Sequence, residues 1–225
     1  MDLTIDILVW VLLWVITFGT FYFMTKRGVT FNKRYGLLIL FFLFFSFLAV
    51  LSFTDILASL KSSFTLAPFL IFVFIYVITI ALYHFSHKSL QRPALLIERY
   101  PHQHIIKMDY QYLVSMPFHI LFQQIMIWVM VLWLSKQNYS LFEIIFYFML
   151  IFGLLHVFAI IPNGKTFGTY YLIASLIGAF IFPILILKVN YGFVYSYIVH
   201  FSFYSISSVL FWLFADKFSE KIKYV

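Results

Sequence analysis

Residues 113–135 read LVSMPFHILFQQIMIWVMVLWLS. The stretch carries no charged residue. At about 1.5 Å rise per residue it is long enough to cross a hydrocarbon core of roughly 30 Å. Two adjacent amides, Gln123 and Gln124, interrupt its apolar run. A polar side chain in hydrocarbon costs free energy unless it faces protein or water, so this pair marks an inward face and a candidate site. The backbone of such a segment must satisfy its own hydrogen bonds, which makes it a helix.

Six further apolar runs lie around this one, near residues 7–24, 35–53, 64–85, 141–162, 169–188 and 193–214. The expected fold class is therefore all-α, a polytopic membrane bundle of about seven helices. Composition agrees: 64% of the 225 residues are hydrophobic and only 10% charged, more apolar surface than a soluble domain can hide. The chain divides into an N-terminal three-helix segment with its following loop, 1–112, and a four-helix core with a short tail, 113–225. Cysteine is absent, which excludes disulfides, Cys-ligated zinc and a thiol nucleophile. Asp2 and Asp6 precede the first run where a cleavable signal would carry Lys or Arg, so no signal peptide is expected.

The net charge of +7 raises the question of nucleic acid, and the positions of the charges answer it. Lys26, Arg27, Lys33, Arg34, Lys88, Arg92, Arg99, Lys107, Lys165, Lys217, Lys221 and Lys223 fall in alternate connections and the tail, twelve of the fifteen basic residues. Lys61, Lys136 and Lys188 are left for the other side. The positive-inside rule then predicts an outer N-terminus and a cytoplasmic C-terminus. The expected partner of the basic charge is the membrane surface, with no nucleic acid.

Local signals refine this outline. The loop of about 86–112 is the longest connection, and its Leu95–Ile97 segment is expected to lie in the interface. His102 and His104 in that loop form a His-x-His pair, too few ligands for a metal site, and are expected to be solvated. Ser140 and Glu143 fit a capping box before the fifth run, which assigns Glu143 to the helix start rather than to catalysis. Pro162–Asn163–Gly164 predicts the next turn. Ala174 and Gly178 form a small-xxx-small pair suited to close approach of a neighbouring helix, and Pro183 predicts a kink.

The polar residues within the spans are ordered at helical spacing. Ser115, His119 and Gln123 recur every four residues in the fourth run, with Gln124 beside them. Ser196, His200, Tyr204 and Ser208 do the same in the seventh, and Phe152 and His156 stand four apart in the fifth. Interhelical hydrogen bonds that glue helices together account for such stripes at about 0.6 kcal/mol per pair. That reading suits His119 taken alone. Gln123, Gln124, His156 and His200 taken together suggest a site. From the run boundaries His156 and His200 fall at different depths, roughly 10 Å apart along the membrane normal.

The order and distances of these residues resemble the CPBP family of intramembrane proteases, which includes the CAAX prenyl proteases and the bacteriocin self-immunity proteins. The family pattern is Glu-Glu-x-x-x-Arg, then Phe-x-x-x-His, then His-x-x-x-Asn or Asp on successive helices. Gln123 and Gln124 fall at the glutamate pair, Phe152 and His156 at the second motif, His200 at the last histidine. The resemblance spans roughly residues 113–208. Trp128 stands in place of the arginine and Tyr204 in place of the Asn or Asp. The resemblance implies that Gln123, Gln124, His156 and His200 occupy the catalytic positions, with Phe152, Trp128, Tyr204 and His119 supporting them.

In the family the glutamates activate a water and the histidines stabilise the oxyanion. An amide orients water but cannot accept its proton. The expectation is therefore an inactive relative that binds a transmembrane or lipidated peptide, or a partner membrane protein. One alternative is an endopeptidase disabled by Glu-to-Gln replacement. Another is a transporter or cofactor-binding membrane protein. No metal and no cofactor are expected, because a Gln and His set lacks the usual ligands of a zinc site.

Overall fold

The structure is a computed structural model that describes residues 3–58, 65–158 and 160–214. Lys61 and the tail lysines Lys217, Lys221 and Lys223 lie outside the described residues. Among the described residues ten helices follow in order: α1 (Leu3–Lys26), α2 (Tyr35–Ser52), α3 (Thr54–Leu57), α4 (Leu66–Ser89), α5 (Ala94–Arg99), α6 (His104–Lys107), α7 (Tyr110–Ser135), α8 (Leu141–Val157), α9 (Ile160–Lys188) and α10 (Gly192–Leu213). Six are long and apolar enough to cross a membrane, namely α1, α2, α4, α7, α9 from Asn163, and α10; α8 has 17 residues. The chain is thus a helical bundle of the multi-pass membrane type.

α7 is the central post. Two thirds of its most apolar window is buried inside the protein, against 17% for α1 and α4. α2, α8, α9 and α10 all pack on it. Its one internal proline, Pro117, removes an amide N–H and so frees the carbonyl of Leu113. The Tyr76 hydroxyl on α4 donates to that carbonyl at 3.4 Å. The Tyr197 hydroxyl on α10 donates to the Pro117 carbonyl at 2.9 Å, and the Trp10 indole on α1 to the Met126 carbonyl at 2.9 Å. Three aromatic side chains therefore tie three helices to the α7 backbone, in a medium where an unmatched carbonyl is costly.

The end of α8 departs from expectation. The capping box forms as read: Glu143 Oε2 accepts from the Ser140 amide at 2.8 Å, and Ser140 Oγ accepts from the Glu143 amide at 3.4 Å. The helix stops at Val157, a turn short of the expected 162. Pro162–Asn163–Gly164 does not form the whole connection. Residues 160–163 already coil, and Gly164 breaks the path at φ 71°, ψ 169°, a conformation essentially restricted to glycine. Pro183 keeps helical dihedrals, so the break in α9 is at Gly164. The small pair also works differently from the reading. A Cβ on Gly178 would meet the Phe182 ring of its own helix at 2.8 Å, whereas Gly153 on α8 admits Leu176 of α9. Gly192 closes the turn between α9 and α10, where a Cβ would overlap the Leu185 carbonyl.

The 90–109 connection packs on the bundle. Leu96, Ile105 and Ile106 are buried against Phe167, with Tyr171 and Phe211 beside them. The Trp212 indole donates to the Ile106 carbonyl at 2.9 Å. Gln103 is pinned twice, donating to Asn163 Oδ1 at 2.8 Å and accepting from the Tyr171 hydroxyl at 3.0 Å. The connection is a strap over one end of α9 and α10.

His104 likewise is not a solvated loop residue. Its ring lies edge-on to Phe31 at 5.2 Å and stacks near Tyr112 at 6.1 Å, while Nδ1 is 3.8 Å from Asp109 Oδ2. Burial pushes the imidazole below its usual range, against an upward pull from Asp109; Lys107 and His102 press it further down. The folded chain therefore binds this proton less readily than the unfolded chain. Its stabilising contribution is complete above the ordinary imidazole value of 6.5 and is lost as the pH falls through it. Thermal unfolding in detergent should show a larger fall in midpoint between about pH 7.5 and about pH 5.5 for the parent than for His104→Gln. Parallel curves for the two would remove His104 from the acid response.

Candidate functional site

The α7 and α10 stripes meet. Gln124 is fully buried and bonds to α10 with both ends of its amide: Nε2 lies 2.7 Å from Ser196 Oγ and Oε1 3.2 Å from His200 Nδ1. The rest of the network fixes the direction of each bond. Ser196 has one hydroxyl proton, and it goes to the Phe193 carbonyl at 2.9 Å. Ser196 can then only accept from Gln124, so the amide oxygen faces His200 and Nδ1 of His200 carries the proton. A neutral imidazole so arranged has a bare Nε2.

Gln123 points the other way on α7. Its Nε2 is 2.9 Å from His119 Nε2, one helical turn back, and its side chain meets the Tyr204 hydroxyl from α10. His119 accepts there and so also carries its proton on Nδ1. The His119 ring is boxed by Phe18, Phe21, Phe31 and Phe42, the closest at 4.7 Å. His156 is half-buried, and its Nδ1 donates to the Phe152 carbonyl of its own helix at 2.8 Å. All three imidazoles are thus held in one tautomer.

No hydrogen bond links His156 to Gln123, Gln124 or His200. The connection runs through rings instead: Trp14 lies 5.0 Å from Phe18 and 6.3 Å from Phe152, and Phe152 lies 4.6 Å from His156. Tyr204 stacks on His200 at 5.6 Å, and Phe182 covers another side at 5.3 Å. Trp128 is buried with its indole N–H unpartnered and its ring edge-on to Phe193 at 5.5 Å.

The described acidic residues are Asp6, Asp55, Glu98, Asp109 and Glu143, and none of them hydrogen-bonds to a member of this set. Neither the cavity beside Trp10 and Phe53 nor the one between α9 and α10 near Tyr170 is lined by a member of the set. The polar residues are packed against one another. Ser115 turns back to the Gln111 carbonyl, and Ser208 takes up the Tyr83 hydroxyl from α4, so neither joins the network.

Sequence reasoning did not find the wall that α1 and α2 supply. Trp10, Trp14, Phe18 and Phe21 recur at spacings of four, four and three, an inward helical face with two tryptophans in it. That pattern was the available signal. Against known proteins, no family model, no curated protein and no solved structure matches the chain.

Proposed function

We propose that this chain is a multi-pass membrane protein of CPBP-like build that does not hydrolyse peptides and instead recognises a membrane-embedded peptide or partner protein. The observation that carries the first half is the two-ended bond of Gln124. A peptidase site of this kind needs a base that accepts a proton and N–H donors aimed at an oxyanion. The amide at 124 offers no basicity, and the His200 N–H that would serve an oxyanion is already directed to Gln124. His156 spends its N–H on the Phe152 carbonyl in the same way. The half-buried His156 supports the second half of the proposal, because its bare Nε2 is an acceptor that no hydrogen bond among the described residues uses.

In this reading α8 spans as well, giving seven crossings with an outer N-terminus and a cytoplasmic C-terminus, and the strap lies on the cytoplasmic side. The absence of cysteine makes this testable. Single cysteines placed at Gln91 and at Lys136 should label with an impermeant maleimide from opposite sides of sealed vesicles. A photo-crosslinking residue at Leu154, exposed on α8, should capture a protein adduct in cells. Labelling of position 91 from outside refutes the orientation. Adducts with lipid alone refute the recognition role.

A further inference from the structure

The groove between α9 and α10 is unrelated to the Gln–His network. It encloses about 330 Å³ and is lined by Phe167, Tyr170, Leu210, Phe211 and Phe214, with Thr166 and Ser207 as its polar members. That volume falls within the range of small-molecule pockets, roughly 300–1,000 Å³. Leu210 and Phe214 on its wall are 42% and 44% exposed, so it opens sideways from the bundle. Water fills such a space poorly, since each molecule needs two to four polar partners.

Two observations bear on what such a groove would take. The Tyr170 hydroxyl is buried at the wall and faces Ser207 without closing a hydrogen bond of ordinary geometry. A phenol O–H left so is a donor waiting for a carbonyl oxygen. The second is charge. Lys165 is exposed next to Thr166, and Arg99 lies 6.0 Å from the Tyr100 ring, whose hydroxyl donates to Thr166 Oγ1 at 3.1 Å. Two basic residues therefore belong to the segments that form the rim of this apolar slot, at the end of the bundle that carries the basic connections.

We propose that this groove binds an anionic phospholipid of the surrounding leaflet. One acyl chain lies among Phe167, Phe211 and Leu210, an ester carbonyl accepts from Tyr170, and the phosphate sits by Lys165 and Arg99. Basic pockets between spans on the cytoplasmic side hold anionic headgroups in this manner. The proposal rests on the membrane placement and not on the peptide-recognition reading, so either can fail without the other.

The test is native mass spectrometry of the full chain purified with phosphatidylglycerol or phosphatidylcholine of identical acyl chains. Retention of the glycerol lipid should exceed that of the choline lipid roughly tenfold or more, the scale expected for two cations. Lys165→Gln with Arg99→Gln should abolish the preference and leave weak retention of both lipids. Ser207→Trp should fill the slot and strip both; Thr166→Trp, at the exposed rim, does the same without touching the core, and circular dichroism confirms that each variant is folded. Equal retention of the two lipids by the parent would overturn the proposal. So would unchanged retention in folded tryptophan variants, or displacement of the lipid by soluble glycerol phosphate.

Discussion

Gln124→Ala should lower the unfolding free energy in mixed micelles by about 2–4 kcal/mol, more than any other polar truncation in the bundle. Two interhelical hydrogen bonds are lost, at about 0.6 kcal/mol each. The His200 N–H is left buried with no acceptor, a further ~1–3 kcal/mol, and the missing side chain leaves a void whose cost grows by about 24 cal/mol per Å³. Gln124→Met separates these contributions. It keeps the volume but removes the polar bonds and leaves the same His200 N–H unmatched, so it should recover only the void's share of the alanine loss. Gln123→Ala should cost less than Gln124→Ala, because its His119 bond lies within α7 and only its contact with Tyr204 reaches a second helix. Equal losses at positions 123 and 124 would mean that the bridge to α10 contributes nothing.

The second large effect is a negative one. The parent should leave prenylated peptides and single-span helices uncleaved in liposomes, and Gln123→Glu with Gln124→Glu should fail to restore cleavage. A positioned base supplies roughly 10²–10⁴-fold in rate, so regained activity would be plain to see. The setting explains the expected failure. A carboxylate at 124 would be fully buried between Ser196 and His200, and the resemblance's arginine position holds the indole of Trp128. An unpaired charge there costs several kcal/mol, so the carboxyl keeps its proton and cannot take another. Tyr204 compounds this, since it stacks on His200 and meets Gln123 where the resemblance asks for a carboxamide or carboxylate. Robust cleavage by the double variant would replace the recognition reading with that of an enzyme disabled at two positions.

The spans were legible because their signal is summed over some twenty residues, and lipid-soluble runs such as 35–53 tolerate no other reading. Their ends were not. α8 stops at Val157 and α4 runs on to Ser89 for reasons local to caps and neighbours, which hydropathy does not encode. The i, i+4 stripes placed Gln124 and His200 on inward faces, and the structure brings them together. What four-residue spacing cannot express is which end of an amide meets which helix. That follows from the single proton of Ser196, a contact 72 positions away in the chain. The aromatic wall from α1 went unread because Trp and Phe in an apolar run look equally suited to lipid. His104 misled for the opposite reason: a charged, proline-bearing loop reads as wet, and only the fold shows it pressed between Phe31 and Tyr112.

The partner of Gln124 lies 76 residues further along the chain. Synthesis proceeds at about 5–20 residues per second, so His200 reaches the membrane roughly 4–15 s after the amide that needs it. Tyr197, which covers the Pro117 carbonyl, arrives equally late. Through that interval Gln124 has no partner on a second helix, and an unmatched amide in hydrocarbon is costly. The central helix is therefore fully matched only once α10 has been made.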